Sequence, residues 1–428
     1  MKSRGTSWPF RRFIMRCNTG ARQKMMRLSR RFPSRKIGPI HRVLRRCARV
    51  MNKLISSAIK KPNKPSGRAM NKKITTAFEA QRQACEMLGS PLTRDVVGFC
   101  ADNFAANGVI AELVRGWQGD PLNDNVPLRL AGFAHYAALR GDGIAAFYES
   151  CGGRYQDTDR AALAGALADL FTREEKTARR FLRSAPQTNE TGRAAMLLLG
   201  FSEIIKRLGL PLRLREMGAS AGLNLFFDQF HYRLTTDRGD MDWGRADSPL
   251  SLFAQWRGTP PALADEIEIA SRRGCDLFPV NIADADERMK LQSWVWGDMP
   301  DRRARLLAAL EIADIAPPEI DRADAAGWVA AQIMARPSGQ ATVLYHSIVW
   351  PYLNVSQRFA IESAFAQAAE EVRSDAPLVW LKMDGRELGT IAQLSYRIWT
   401  GANGPEGEEV ILGPCHPHGR DMEITAPF

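Results

Sequence analysis

An α/β fold is the class that this 428-residue sequence predicts: a mostly parallel sheet closed by an antiparallel C-terminal hairpin and preceded by an all-helical domain. Three observations carry that expectation. From Met70 to about residue 208, apolar residues recur at helical spacing. From Leu210 onward, short apolar runs alternate with helical stretches, the pattern of parallel strands with helices on both faces. Near the end, "YRIWT" and "EEVILG" flank the turn-rich "GANGPEG", a hairpin connection.

The elements follow in order. Residues 1–70 hold 21 Lys and Arg and no acid, so the 59 basic residues leave 38 against 47 acidic ones in the remainder. The net charge of +12 is therefore confined to the head, and the acidic body argues against a broad nucleic-acid-binding face. Residues 1–69 read as a disordered or spurious extension, with a basic arm or a targeting segment as alternatives. Thr76 and Glu79 form a capping-box pattern just where ordinary composition begins.

A helical domain is expected over 70–208. Ile74, Phe78, Cys85 and Leu88 fall near one face of a helix ending at "GSP". "DTDRAALAGALADLFTREEKTARRFL" reads as one long amphipathic helix, and "TNETGRAAMLLLGFSEIIKRLGL" as another. An α/β domain is expected over 209–428. Its strands are "LRLREM", "EIEIASRRGCD", "EIDRAD", "TVLYHSIVW", "LVWLKMD" and the two hairpin strands, with an insertion at about 227–264.

No apolar run is long enough to cross a bilayer, and no secretory signal core is present. Seven scattered cysteines suit a reducing compartment. A cytoplasmic protein with a small-molecule substrate, and with neither nucleic acid nor membrane as partner of the body, is the expectation. The sequence leaves oligomeric state open.

The stretch "LPLRLREMGASAGLNLFFDQF" concentrates the chemistry. In an open α/β sheet, ligands bind outside the carboxyl ends of the strands. Gly218 and Gly222 allow a tight turn with little between backbone and ligand, with Ser220 between them and Asn224 just beyond. The spacing differs from the dinucleotide fingerprint G-x-G-x-x-G. Glu216, at the strand tip, would repel a pyrophosphate but suits an ammonium, which favours S-adenosylmethionine over NAD. Asp276 ends the second apolar run and could accept both ribose hydroxyls. Asp324 ends the third, where an acceptor could meet an adenine amino group. Tyr345, His346 and Ser347 end the fourth, and His346 is the candidate general base. The blander readings are a packing turn, two capping aspartates and a histidine in a pocket wall. No metal is expected, since Cys415, His416 and His418 in "PCHPHG" make an awkward local chelate.

"LREMGASAGLNL", "QTNETGR", "RRGCDLFP", "YHSIVWPYL" and "LGPCHPHG" resemble a bacterial family known only as a domain of unknown function, from about Met70 onward. The strand-tip pattern over 210–428 is also similar to the class I S-adenosylmethionine-dependent methyltransferases, whose sheet is Rossmann-like. That resemblance implies Glu216, Gly218 and Gly222 around the methionine part, Asp276 at the ribose and Asp324 at the adenine. The leading expectation adds that the helical N-terminal domain closes over the cofactor. The chain departs from the pattern in lacking a middle glycine, in its insertion, and in having no Asn-Pro-Pro-Tyr-like tetrad. A nicotinamide- or nucleotide-binding Rossmann-like enzyme and a non-catalytic scaffold are the alternatives.

Overall fold

A computed structural model describes residues 67–385 and 391–427. The expectation for the basic head covers residues 1–69, of which 1–66 lie outside the described residues and 67–69 begin the first helix. Seven helices come first: α1 (Gly67–Met87), α2 (Pro91–Ala105), α3 (Val109–Val114), α4 (Val126–Leu139), α5 (Arg160–Arg173), α6 (Glu175–Phe181) and α7 (Ala194–Leu208). Ile74, Phe78 and Cys85 are all buried, as their spacing predicts. The single long helix expected around residues 157–182 is two helices, α5 and α6. They part at Glu174, whose φ of −110° and ψ of 26° leave the helical region.

The sheet has eleven strands: β1 (Leu212–Met217), β2 (His231–Thr236), β3 (Gly239–Gly244), β4 (Ser251–Gly258), β5 (Ile269–Asp276), β6 (Ile320–Arg322), β7 (Ala341–Ser347), β8 (Leu378–Asp384), β9 (Ala392–Trp399), β10 (Glu408–Cys415) and β11 (Asp421–Ile424). Their order is β3-β2-β4-β11-β10-β9-β8-β7-β1-β5-β6. Strands β6, β5, β1, β7 and β8 run parallel, and β9 and β10 follow antiparallel. Helices α8 (Ala285–Ser293), α9 (Pro300–Ile315), α10 (Ala325–Met334) and α11 (Val355–Ala369) complete the fold.

All seven expected strands form, but two features differ. Past the glycine turn the chain makes a 3-10 segment, Leu223–Gln229, kinked at Phe226, where an α/β unit ordinarily begins an α-helix. A long helix's aligned dipoles are therefore missing at that turn. The insertion is not an appendage either. Its strands β2, β3 and β4 extend the same sheet, joined through the parallel pair β4–β11. Leu252, Ala254 and Trp256 of β4 alternate inward, the period of a half-buried strand.

Helix α7 contacts the neighbouring strands β8 and β9 and also β4, three positions beyond β9 in strand order, so the sheet curls around it. Residues Ala194 to Ile204 are accordingly buried without a break.

Strand alternation sorts side chains onto two faces. Leu212, Leu214 and Glu216 of β1 share the α7 face with Ala341, Val343 and Tyr345 of β7. Arg213, Arg215 and Met217 share the opposite face with Leu344, His346 and Trp380, under α10 and α11.

Candidate functional site

One segment, residues 187–193, ties the distinctive motifs together. Gln187 Nε2 donates to Asp276 Oδ1 at 3.4 Å, and Asn189 Oδ1 accepts the Leu223 amide at 2.9 Å. The Glu190 carbonyl accepts from Asn224 Nδ2 at 3.4 Å. Arg193 reaches two further loops, with Nε donating to the Pro417 carbonyl at 3.0 Å and Nη1 to the Ser347 carbonyl at 3.0 Å. Backbone meets backbone at two glycines. A Cβ on Gly419 would lie 1.9 Å from the Gly192 oxygen, and one on Gly192 would lie 2.6 Å from the His418 oxygen. Only glycine allows that approach. Gly419→Ala is expected to lower the denaturant midpoint by roughly 1–3 kcal/mol of stability for strain at a φ of +73°, with the clash added. Gly209→Ala, also at positive φ but with open space around it, should cost only about 1–2 kcal/mol.

The centre of this convergence lies at the tips of β1 and β7. Strands β5 and β6 continue on one side of that pair and β8 on the other, which makes it the topological switch point of the sheet. Glu216 and Tyr345 are register partners there. Four buried polar atoms around this point have no hydrogen-bond partner: Glu216 Oε2, Ser220 Oγ, Asn224 Oδ1 and the Tyr345 hydroxyl. Orphaned buried groups are uncommon in folded proteins, and each calls for an explanation such as strain, a buried water or ion, or a catalytic role. Burial pushes the Glu216 carboxyl up to about 8. The Tyr345 hydroxyl and Arg193 favour its charged form but are outweighed, and the hydroxyl falls short of hydrogen-bond geometry.

Glu190 is the opposite case. Its Oε2 accepts from Arg302 Nε at 2.9 Å and Nη2 at 2.6 Å, and its Oε1 from the Gly192 amide at 3.2 Å. Burial alone would raise its pKa, but Arg302, His418, Arg305 and Arg193 hold it down to about 2.

The other expected residues are placed as follows. Gly218 and Gly222 both have positive φ, and each is closely packed: a Cβ would meet Val349 at 2.5 Å and Ile320 at 2.6 Å, respectively. The turn's amides are largely engaged within the protein. Gly218 and Ala219 donate to the Cys275 carbonyl, and Ser220 donates to Asp276 Oδ2 at 3.0 Å. Asp276 also accepts from the Phe278 amide at 2.9 Å, so its carboxylate ties the second strand's loop to the first. It lies near enough to Glu216 to act on its charge. Asp324 lies elsewhere. It caps α10 through the Ala326 amide at 3.0 Å and takes Gln357 Nε2 of α11 at 2.6 Å, on the face away from Glu216.

His346 is also on that far face, and both of its ring nitrogens are engaged. Trp380 Nε1, which can only donate, gives its hydrogen to His346 Nε2 at 3.0 Å. The remaining proton therefore sits on Nδ1 and faces Asp384. Asp384, at the tip of β8, also accepts the Val349 and Trp350 amides at 2.9 and 3.2 Å. The pair thus pins the loop after β7, where Ile348 holds an unusual φ of +53°. Sequence reasoning passed over Asp384, although "LVWLKMD" offered the same signal as the other strand-tip acids. Glu190, which the sequence did not single out, is buried against Arg302.

Among the described residues no group of three or more His, Cys, Asp or Glu side chains is placed to hold a metal. No described helix is long and apolar enough to cross a membrane. Against known proteins, the family model described as "Uncharacterized protein conserved in bacteria (DUF2332)" matches residues 75–423. The chain belongs to this family. The matched span includes every motif that meets at residues 187–193. No curated protein matches the chain. No solved structure matches it either.

Proposed function

We propose that the chain is an S-adenosylmethionine-dependent methyltransferase-like enzyme with a Rossmann-like core, acting on a small-molecule acceptor. The observation that carries this reading is the set of four partnerless buried polar atoms at the switch point, Glu216 Oε2, Ser220 Oγ, Asn224 Oδ1 and the Tyr345 hydroxyl. They suit the amino-acid end of the cofactor. Glu216 would take the ammonium, and Arg193, whose Nη2 has no partner among the described residues, would take the carboxylate. Asp276 stands beside them for the ribose, with a lone pair left on Oδ2, which accepts only the Ser220 amide, while Oδ1 already accepts from Gln187 and Phe278. Bound there, the sulfonium supplies a methyl group activated for in-line displacement. The protein's own task is to orient the two reactants and exclude water.

Val349 lies over Gly218, so admitting a ligand would require the loop after β7 to shift. That shift would have to break the Asp384 bonds to the Val349 and Trp350 amides. A second reading, a non-catalytic scaffold that keeps the fold, draws support from the engaged amides of the turn and the close packing of Gly218 and Gly222.

Melting temperatures with S-adenosylmethionine, its demethylated product and NAD separate the readings. The first two should stabilise the protein by about 2.7 kcal/mol at one hundred times Kd. Ser220→Ala removes a hydroxyl without a partner, so it should leave the unliganded melting point unchanged and weaken the response. Stabilisation by NAD alone would favour a nicotinamide enzyme, and no response to any of the three would favour the scaffold.

A further inference from the structure

The guanidinium groups beside the site outnumber their acidic partners. Arg302, Arg305 and Arg193 all act on the single carboxylate of Glu190. Arg302 alone is paired to it. Arg305 forms no hydrogen bond or ion pair among the described residues, and its Nε is buried without a partner. A cleft of about 290 Å³ opens here, lined by Arg302, Arg305, Arg420 and His418 together with Asp298 and Asp301. Asp298 offers little to the arginines, because it already accepts from the Ser90 hydroxyl at 2.5 Å, the Leu92 amide at 2.9 Å and Thr93. Arg420 gives Nη2 to His416 and is otherwise exposed. The local field is visible at His418, whose pKa falls to about 3, first through burial and then through Arg302.

We propose that this cleft binds the oxyanion group, carboxylate or phosphate, of a small-molecule ligand, gripped by Arg305 and Arg420. Partly buried positive charge left unpaired is costly, and a planar guanidinium matches either oxyanion with two parallel hydrogen bonds. Arg302 lines both this cleft and the smaller cavity at Asn189 and Glu190, so an anion held here would direct the rest of its molecule toward the motif convergence. The assignment stands apart from the methyl-transfer reading, since it concerns different residues and a different ligand group.

The test is calorimetric titration of the full chain with inorganic phosphate and with acetate, each against sodium chloride at equal ionic strength. Saturable binding of at least one oxyanion is expected, weakened tenfold or more in Arg305→Met and in Arg420→Met. Arg305 supports no other described residue by hydrogen bonds, so its variant should melt like the parent. Phosphate binding without acetate binding assigns a phosphorylated ligand, and the reverse pattern a carboxylate. Heats no different from chloride, or binding unchanged in both variants, overturn the proposal. S-adenosylmethionine is titrated into the same samples. A protein that binds an oxyanion but not this cofactor keeps the cleft assignment and loses the methyl-transfer reading.

Discussion

Replacing Glu190 with glutamine is expected to destabilise the protein by roughly 3–5 kcal/mol, the cost of leaving the other half of a buried ion pair without its partner. Arg302 is only 14% exposed, so water cannot take over the role of the carboxylate. The loss should reach further than one pair, because Arg193 and Arg305 also rely on that charge. Thermal melts read it as a fall of roughly 6–10 °C. The pH dependence identifies the cause. Glu190 is held down to about 2 in the folded chain, against an ordinary value of 4.5. Its contribution is therefore complete above pH 4.5 and is lost as pH falls toward 2, so parent and variant should converge in that window. A double variant with methionine at both Glu190 and Arg302 should recover much of the loss, since an apolar pair needs no charge compensation. Equal melting of parent and Glu190→Gln at pH 7 would show that the pair is not a structural anchor.

Glu216 should behave in the reverse sense. Its folded carboxyl keeps a proton up to about pH 8, whereas an unfolded glutamate releases it near 4.5. Unliganded stability should therefore decline as pH rises from 4.5 to 8, by on the order of 1 kcal/mol per pH unit, and then level off. Glu216→Gln should remove that slope and leave the variant more stable than the parent at pH 8–9. Ligand binding has the opposite demand. An ammonium must displace the proton, so affinity for S-adenosylmethionine should climb by about tenfold per pH unit up to 8 and then flatten. Calorimetry in two buffers of different ionisation enthalpy would count about one proton released per ligand at pH 7. A flat affinity profile in the parent, or an undiminished response in Glu216→Gln, would rule out Glu216 as the cation's partner.

Much of the fold was legible because apolar periodicity reports which faces are buried. Seven strands and the helical first part follow from that rule, and β1 was the clearest of them. The strands of the insertion were harder to read. Only one face of β4 is covered, and its partner β11 is four residues long and lies more than 160 positions later, so no local pattern announces the pairing. The site was legible in part. Glu216, Ser220, Asn224 and Asp276 lie close together, since short turns at strand tips fix where their side chains go. Asp324 and His346 point to the other face. Strand-tip position alone does not fix the side of the sheet, which depends on the parity of a residue within its strand. Glu190 was not legible, because the partner that buries it, Arg302, is more than a hundred residues away.

The curled sheet has a consequence for assembly. Strand β11 is the seam that holds β2, β3 and β4 to the rest, and it is made of residues 421–424. During synthesis, β4 must wait with an open edge until residues 421–424, more than 160 positions later, have left the ribosome. Closure is then a late zippering step between distant segments, and such steps are slow. A nascent chain in that interval is a natural client for chaperones, and deleting residues 421–424 should leave a polypeptide that collapses but sticks to its own kind.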